Sequence, residues 1–391
     1  MTEAVIVSAV RSAVARGKAD GALAAGGVTP VDLAGLVIEA AVRGAGVDGA
    51  LVDDVVMGCA MPEASQGLNV ARNAALRAGL PVDTSAATVN RFCSSGLQTV
   101  AQATQAVMSG MQDVVVAGGV EMMSQVPMSG FHTRLHPELT ESYIGKGFTA
   151  ERVAERYGVS REAQDAFALE SQRRAAAALQ RNAFEGQLVP IPVERVRWEG
   201  AKKTVERGVF ERDEMPRAET SMEGLAKLRP SFKPKGTVTP GNASPLSDGA
   251  AALVVMSRAL AEARGIRPLA RLITYAVAGL APDVMGMGPV HAIPKALKKA
   301  GMTLDQIDLI ELNEAFAAQA VAVANELGLD PSRVNPNGGA IALGHPLGAT
   351  GAKLTTQLIH ELRRRGGGLG MVSMCVGGGM GAAGIFEVYG A

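Results

Sequence analysis

The chain has 391 residues, of which 47% are apolar, enough to bury a large core across two or three domains. Its 38 basic and 38 acidic residues cancel, which argues against nucleic-acid binding and against general binding to membrane surfaces. No apolar run approaches the roughly 20 residues needed to span a bilayer. We therefore expect neither a membrane nor a nucleic acid as a partner.

Apolar runs and helix-like segments alternate along the chain, which is typical of an α/β fold. In chain order, the pattern predicts a strand at 4–9, helices at 30–43 and 97–108, a strand at 114–117, a helix at 150–157, strands at 253–256 and 309–312, a helix at 313–327 and a strand at 369–374. The region 120–242 is more polar than its flanks. We interpret it as an insertion with its own helices, because so long a structureless loop is implausible in a compact domain.

Three cysteines, Cys59, Cys93 and Cys375, lie far apart in the sequence. They form no CxxC pair, so a metal site is not expected, and an odd number without a secretory signal argues against a disulfide framework. The start of the chain resembles a strand and lacks the basic and apolar pattern of a signal peptide. These features predict a cytoplasmic enzyme in a reducing compartment.

Two distant stretches follow one plan. A small-residue helical segment opens at 93–96 and a second at 345–351, and each is followed by an apolar strand and a glycine turn. An acidic turn precedes an apolar strand earlier in each half, at 52–57 and 307–312. We interpret the pattern as an internal duplication; the alternative is chance similarity between generic α/β units.

Cys93 is the candidate nucleophile. It begins a predicted helix, where the positive end of the macrodipole favours the thiolate, and the small residues after it leave room for a bulky acyl group. A single cysteine is more often a buried apolar residue. The duplication favours the catalytic interpretation, because it puts His345 at the equivalent helix start of the other half, where a histidine can take the thiol proton. His132, His136, His291 and His360 are expected to be structural or exposed.

Two further positions carry polar groups at strand ends. Cys375 ends a predicted strand and is followed by glycines, including Gly377, whose main-chain N–H groups can converge on an oxyanion. A thiol there can act as a general acid and base, or it can simply fill the core, as expected of Cys59. Asn313 follows the strand 309–312 and can hold a water, cap a helix, or do both.

A GxGxxG pattern at 379–384 follows the last strand but does not predict nucleotide binding. The chain continues for only seven residues after it. That leaves no space for the rest of a dinucleotide-binding unit or for its acidic residue.

Together these residues resemble the thiolase family over essentially the whole chain. Four blocks carry the resemblance, namely 89–96 (VNRFCSSG), 313–316 (NEAF), 338–348 (GGAIALGHPLG) and 375–379 (CVGGG). It implies two βαβαβαββ halves stacked in five α-β-α-β-α layers with an inserted loop domain. The implied domains are 1–119 plus 243–267, the CoA-binding insertion 120–242, and 268–391.

The resemblance also implies the roles of the site residues. Cys93 would be acylated, His345 would activate it and bind the thioester oxygen with a water held by Asn313, and Cys375 would be the acid and base. The N–H groups of Cys93 and Gly377 would form a second oxyanion hole. No permanent cofactor is implied; coenzyme A would be substrate and product, and family members are usually tetramers or dimers.

Positions that contact CoA and the acyl group are implied in the same way. Ser244 would meet the pantetheine and Arg217 would lie near the adenine. Met285 matches one methionine of the acyl pocket, whereas Lys146 stands where short-chain biosynthetic members have the other. That departure and the residue sequence at 91–95 (RFCSS) both resemble 3-ketoacyl-CoA thiolases more than acetyl-CoA acetyltransferases. They therefore favour a role in fatty acid β-oxidation.

Two rival functions remain at this stage. A ketoacyl synthase shares the fold and a Cys/His pair but typically lacks the cysteine found here at Cys375. A noncatalytic acyl-CoA or lipid carrier on the same fold would not need all four polar positions. A cysteine that reacts far faster than the others with iodoacetamide would favour the enzyme.

Overall fold

A computed structural model describes residues 2–127 and 135–390 of the chain, so His132 lies outside the described residues. The first half contains three helices of two turns or more and four of the main strands. Its elements are β1 (Ala4–Ser12), β2 (Ala15–Arg16), α1 (Ala22–Ala25), α2 (Pro30–Ala45), β3 (Asp54–Gly58), α3 (Val70–Arg77), β4 (Ser85–Val89), α4 (Ser95–Ser109) and β5 (Val114–Met122).

The insertion that follows β5 has helices, as its length predicted. It contains α5 (Lys146–Arg156), α6 (Arg161–Gln180), β6 (Leu188–Val189), β7 (Ile191–Glu199), β8 (Lys202–Phe210) and α7 (Met222–Ala226). Strands β7 and β8 form a separate antiparallel hairpin. The polar region 120–242, for which the sequence predicted helices, therefore also contains a two-stranded ribbon.

The second half repeats the first. Its elements are β9 (Ser247–Ser257), which completes the first half, α8 (Arg258–Ala263), β10 (Ala270–Gly279), α9 (Gly288–Ala300), β11 (Leu309–Leu312), α10 (Ala317–Leu327), α11 (Ala340–Leu343), α12 (Thr350–Arg364), β12 (Gly367–Val376) and β13 (Met380–Tyr389). The ends of its helices follow from local chemistry: α10, for example, stops at Gly328, whose φ of 62° suits glycine.

Strand order reveals the duplication directly. In the first half the order is β4-β3-β5-β9-β1, with two parallel pairings followed by two antiparallel ones. In the second half β11-β12-β13-β10 repeats the last four positions with the same directions. The counterpart of β4 is reduced to one parallel bridge between Ile310 and Val334. The β-α alternation of both halves is therefore that of the predicted thiolase-like fold.

Five layers stack in the order helices, sheet, helices, sheet, helices, which confirms the predicted fold class. Helices α4 and α12 form the middle layer, and their apolar side chains share one buried cluster with strands of both halves. Helices α2 and α3 cover the outer face of the first sheet, and α9 and α10 that of the second. One feature was not predicted: the two sheets join edge to edge where Ile6 pairs with Ala270.

The two central helices touch through glycine. A Cβ on Gly351 would lie 2.1 Å from the backbone N of Leu97, and one on Gly96 would lie 2.6 Å from the N of Ala352. Both distances are far below van der Waals contact, so side chains there would force the helices apart. This close approach brings the N-terminal ends of α4 and α12, and the loops that enter them, to one place.

Candidate active site

Cys93 lies at a strained elbow between β4 and α4. It is buried in a 3₁₀ turn (Phe92–Ser94), two residues before α4 begins, and Phe92 has a φ of 42°, which is unfavourable for a residue with a side chain. Asn90 Oδ1 accepts the Phe92 N–H at 2.8 Å, and Ser95 Oγ donates to the Phe92 carbonyl at 2.7 Å. These bonds fix the sulfur at the N-terminal end of α4, where the helix dipole favours a negative charge.

Cys375 and Asn313 lie at the carboxyl ends of two neighbouring parallel strands. Cys375 is the penultimate residue of β12, and Asn313 follows β11 directly and donates its N–H to the Ser373 carbonyl at 2.9 Å. Both side chains are fully buried, and Asn313 Oδ1 has no hydrogen-bond partner within the described chain. A buried acceptor without a partner is costly unless a water or ligand donates to it, so this oxygen marks a binding position.

His345 enters the site from a glycine-rich loop. Gly344, the residue before it, has a φ of 82°, and its lack of a side chain leaves space for Val14 and for the Ser247 hydroxyl. That hydroxyl accepts the His345 N–H at 2.9 Å. The ring lies with Nδ1 2.7 Å from Thr350 Oγ1 and Nε2 3.4 Å from Asn313 Nδ2. The imidazole is thus held from one side by the start of α12 and faces the Asn313 amide on the other.

Cys93 and His345 lie near equivalent helix starts, but not at identical positions. Cys93 is two residues before α4, whereas His345 is five residues before α12 and precedes the matching 3₁₀ turn (Leu347–Ala349). The residue that corresponds to Cys93 by position is Gly348. The offset of three residues, close to one helical turn, lets the imidazole reach the Asn313 side.

Lys146 lies directly on Cys93, which the sequence did not reveal. Its Nζ is 3.1 Å from Cys93 Sγ, and a Cβ on Gly377 would lie 3.4 Å from Lys146 Cε and 3.7 Å from the Phe92 ring. Lys146 belongs to α5, Cys93 and Phe92 belong to the elbow, and Gly377 belongs to the turn after β12. Sequence analysis assigned Lys146 only to the acyl pocket; a contact across 53 positions has no local signal.

Burial and charge tune the site. Burial and the charge of Cys93 raise the pKa of the Cys375 thiol to about 12, although the Lys146 charge opposes this, so Cys375 carries its proton at neutral pH. Burial, with the nearby charges of Lys146 and Lys353, holds the pKa of His345 well below its usual value. His345 is therefore a neutral imidazole in the resting site. Burial lowers the pKa of Lys146, but the charge of Cys93 and the hydrogen bond to its sulfur raise it above its usual value overall.

Two buried carboxylates brace the loops of the site and were also missed. Glu121 accepts the N–H groups of Ala60 and Gly348, each at 2.8 Å, and so ties the first half to the loop that enters α12. Glu314 accepts the Ile341 N–H at 3.2 Å and holds the loop that leads to His345. Glu314 belongs to the block 313–316, yet only the fold shows which main-chain N–H groups the two carboxylates accept.

The predicted CoA and acyl contacts are more dispersed. Met285 is buried in the cluster that also contains Cys375 and residues of α5. Ser244 is anchored beside the Asn313 segment, since its hydroxyl donates to the Ala315 carbonyl at 2.9 Å. Arg217 is exposed on the surface, held through its main-chain N–H to Gln172, and is not part of the buried cluster around Cys93.

The remaining histidines described have local partners or face solvent. His360 Nε2 lies 2.9 Å from the Ala9 carbonyl, His136 Nδ1 accepts the Glu138 N–H, and His291 is exposed. Across residues 2–127 and 135–390, no group of three or more His, Cys, Asp or Glu side chains is arranged to hold a metal ion. In the same ranges no helix is long and apolar enough to cross a membrane.

Comparison with known proteins identifies the family. Residues 4–259 match the model of the thiolase N-terminal domain and residues 266–388 that of the thiolase C-terminal domain. The chain belongs to the thiolase family. It is 52% identical to the 3-ketoacyl-CoA thiolase of Bacillus subtilis (strain 168), over 99% of this chain and 100% of that protein. It is 46% identical to the acetyl-CoA acetyltransferase of Pseudomonas aeruginosa, over 98% of each chain.

A solved structure supports the same assignment. The crystal structure of the Bacillus anthracis acetyl-CoA acetyltransferase has a TM-score of 0.88 and 43% identity, over 99% of both chains. This thiolase is therefore an acyltransferase with the fold its motifs predicted. The family assignment decides against the ketoacyl synthase and the noncatalytic carrier, because its relatives at this identity are thiolytic and acetyl-transferring enzymes by name.

Proposed function

We propose that this thiolase cleaves 3-ketoacyl-CoA into acetyl-CoA and a shortened acyl-CoA through an acyl-enzyme on Cys93, and that it also runs the reverse Claisen condensation. The supporting observation is the convergence of two thiols, a neutral imidazole and an unpartnered amide oxygen from both halves of the fold. Such a set suits an acyl transfer that passes through an oxyanion and an enolate.

In the proposed cleavage, Cys93 Sγ attacks the 3-keto carbon and the bond between C2 and C3 breaks. The electron pair moves to C2 as the enolate of acetyl-CoA, and Cys375 gives its proton to that carbon. CoA thiol then returns a proton to Cys375 and attacks the acyl-enzyme, which releases the shortened acyl-CoA and the Cys93 sulfur. The pKa of Cys375, raised by burial, keeps its proton available for the enolate.

Oxyanion stabilisation is proposed at two positions. His345 and a water held by Asn313 Oδ1 would bind the thioester oxygen that carries the enolate charge. The N–H groups of Cys93 and Gly377 would bind the oxygen of the tetrahedral adduct on Cys93. Donors fixed in a buried site stabilise developing charge strongly, and removing one costs roughly 10²–10³ in rate in a comparable hydrolase.

We propose acyl-CoA and CoA as the ligands, with no permanently bound cofactor. Ser244 is the proposed pantetheine contact and Arg217, with its exposed guanidinium, the proposed contact near the adenine. Met285 is proposed to line the acyl pocket with Lys146. The domain division 1–119 plus 243–267, 120–242 and 268–391, a cytoplasmic location and a homotetrameric or homodimeric assembly remain predictions of the sequence.

For chain length, we propose a degradative 3-ketoacyl-CoA thiolase of fatty acid β-oxidation. The alternative, a short-chain acetyl-CoA acetyltransferase, is favoured by the retained Met285 and by several relatives' names. The test is CoA-dependent cleavage of a 3-ketoacyl-CoA series from acetoacetyl-CoA to long chains. Comparable rates on the longer substrates support the degradative enzyme, and activity confined to acetoacetyl-CoA shows the alternative.

A further inference from the structure

Lys146 is held against Cys93 by its position at the first turn of α5. It follows the helix N-cap Gly145, and the Thr149 hydroxyl donates to the Lys146 carbonyl at 2.7 Å. The aliphatic part of the side chain lies over Gly377, where the absence of a side chain leaves room for it. The ammonium is thereby directed at Cys93 Sγ, at the 3.1 Å distance of a charge-assisted hydrogen bond to sulfur.

No carboxylate competes for this ammonium among the described residues. None of the ion pairs found within 2–127 and 135–390 includes Lys146. Glu121, a buried acid whose charge raises the pKa of Lys146, is engaged by the Ala60 and Gly348 N–H groups and by the Gln66 amide. The sulfur of Cys93 is therefore the anionic partner that the geometry offers to Lys146.

Burial and nearby positive charges disfavour protonation of the His345 imidazole. Lys146 on α5 and Lys353 on α12 both oppose a charge on His345, and burial opposes it further. Cys375 on β12 keeps its own proton, and the charge of Glu121 on β5 favours a cation here. A second positive charge on His345 beside Lys146 would be strongly disfavoured.

We propose that Lys146 is a catalytic residue of this thiolase, whose ammonium is the resident counter-ion of the Cys93 thiolate. This inference rests on the proposed role of Cys93 as nucleophile. It replaces the thiolate–imidazolium pair expected from the Cys/His motif by a thiolate–ammonium pair with a neutral His345. The imidazole then serves the substrate oxygen and does not store the thiol proton.

The proton balance of the reaction agrees with this assignment. Cys93 enters as thiolate, forms its bond to C3 as the C2–C3 bond breaks, and leaves as thiolate when CoA takes the acyl group. The proton that Cys375 gives to C2 is replaced by the one that CoA thiol brings. No step requires His345 to gain a proton, and Lys146 stays charged throughout, next to the thioester while Cys93 is acylated.

The experiment is the pH dependence of alkylation of Cys93 by iodoacetamide in the intact protein, followed by mass spectrometry of the Cys93 peptide. An opposite charge this close shifts a thiol titration by about 1–3 pH units. Lys146→Met is therefore expected to move the alkylation midpoint up by about 1–3 units and to slow alkylation at about pH 6 at least roughly tenfold. Lys146→Arg is expected to restore the midpoint, since it keeps the charge.

Two further variants serve as controls. Lys298→Met removes an exposed lysine on α9 and is expected to leave the midpoint unchanged. His345→Asn is also expected to leave it nearly unchanged, whereas a thiolate–imidazolium pair requires His345→Asn to move it as far as Lys146→Met. An unchanged midpoint in Lys146→Met, or an equal shift in Lys146→Arg, overturns the inference. If Cys93 reacts no faster than Cys59 and Cys375 at any pH, the proposed function itself fails.

Discussion

Glu314 is the residue whose removal tests how the site is held together. Its carboxylate is buried and accepts bonds from Ser171 Oγ at 2.7 Å, Asn335 Nδ2 at 2.8 Å and the Ile341 N–H at 3.2 Å. A Cβ on Gly339 would lie 2.1 Å from its carboxyl carbon, so the loop that carries His345 rests on this group. Glu314→Ala removes the acceptor for three buried donors and leaves a cavity.

The structure gives the size of the effect. Each donor left unsatisfied costs about 1–3 kcal/mol, and the Ser171 hydroxyl can turn to another acceptor, so two unsatisfied donors should lower the free energy of unfolding by roughly 2–6 kcal/mol. In a chain of this length that lowers Tm by roughly 2–7 °C. A displacement of His345 by about 1 Å would further cut kcat about 10²-fold. Glu314→Gln keeps the shape and one acceptor, so both effects should be smaller.

The assay combines thermal unfolding with thiolysis of the preferred 3-ketoacyl-CoA. Glu170→Ala is the matched control, because Glu170 lies on neighbouring α6 but is half exposed and paired with Arg174. A surface pair of this kind contributes about 0–1 kcal/mol. If Glu314→Ala changes Tm and kcat no more than Glu170→Ala does, the carboxylate does not support the His345 loop and the reasoning is wrong.

Three further predictions follow from the same geometry. Cys93→Ala should abolish transfer of labelled acyl groups from acyl-CoA to the protein, whereas Cys59→Ala should retain it; mass spectrometry distinguishes the two. Burial raises the pKa of Glu311 from 4.5 to about 8, so its folded form keeps a proton that the unfolded chain releases, and stability falls as pH rises through that window. Glu311→Gln should flatten this slope in urea unfolding between about pH 5 and about pH 8, and an unchanged slope contradicts the assignment. Gly351→Ala should lower Tm and activity together because its Cβ meets the backbone of α4, whereas Gly224→Ala, whose Cβ would lie 3.4 Å from its nearest neighbour, should be tolerated.

Parts of the fold and site that depend on local pattern were predictable from the sequence. The strand at 309–312 has the predicted bounds, and Cys93 lies at a helix start as its small neighbours suggested. The layer order was implied by the resemblance that the family motifs carry. Two features that the sequence did not predict depend on pairings between distant segments: the reduction of one strand to a bridge at Val334 and the joining of the two sheets at Ile6. The β7–β8 hairpin pairs adjacent segments, but β8 is exposed along almost its whole length, so no apolar alternation marks it.

In the candidate site, too, residues marked by local sequence pattern were predictable and contacts between distant segments were not. Cys375, Asn313 and His345 each stand next to a recognisable strand end or glycine loop, and that is why the sequence identified them. Lys146 carries no such local mark, because the first residue of an inserted helix could face any direction. Its contact with Cys93 depends on where the insertion is placed against the first half, and residue type alone does not determine that.

The placement of Lys146 explains why the insertion belongs to the chemistry and not only to ligand binding. The first half supplies Cys93 and the helix dipole, and the second half supplies His345, Asn313 and Cys375. Among the residues that the structure describes, the cation within hydrogen-bond reach of the sulfur comes from α5 of the insertion. A buried thiolate without a counter-ion is costly in a low-dielectric site. The insertion therefore completes the charge balance of a site that the duplicated halves leave one positive charge short.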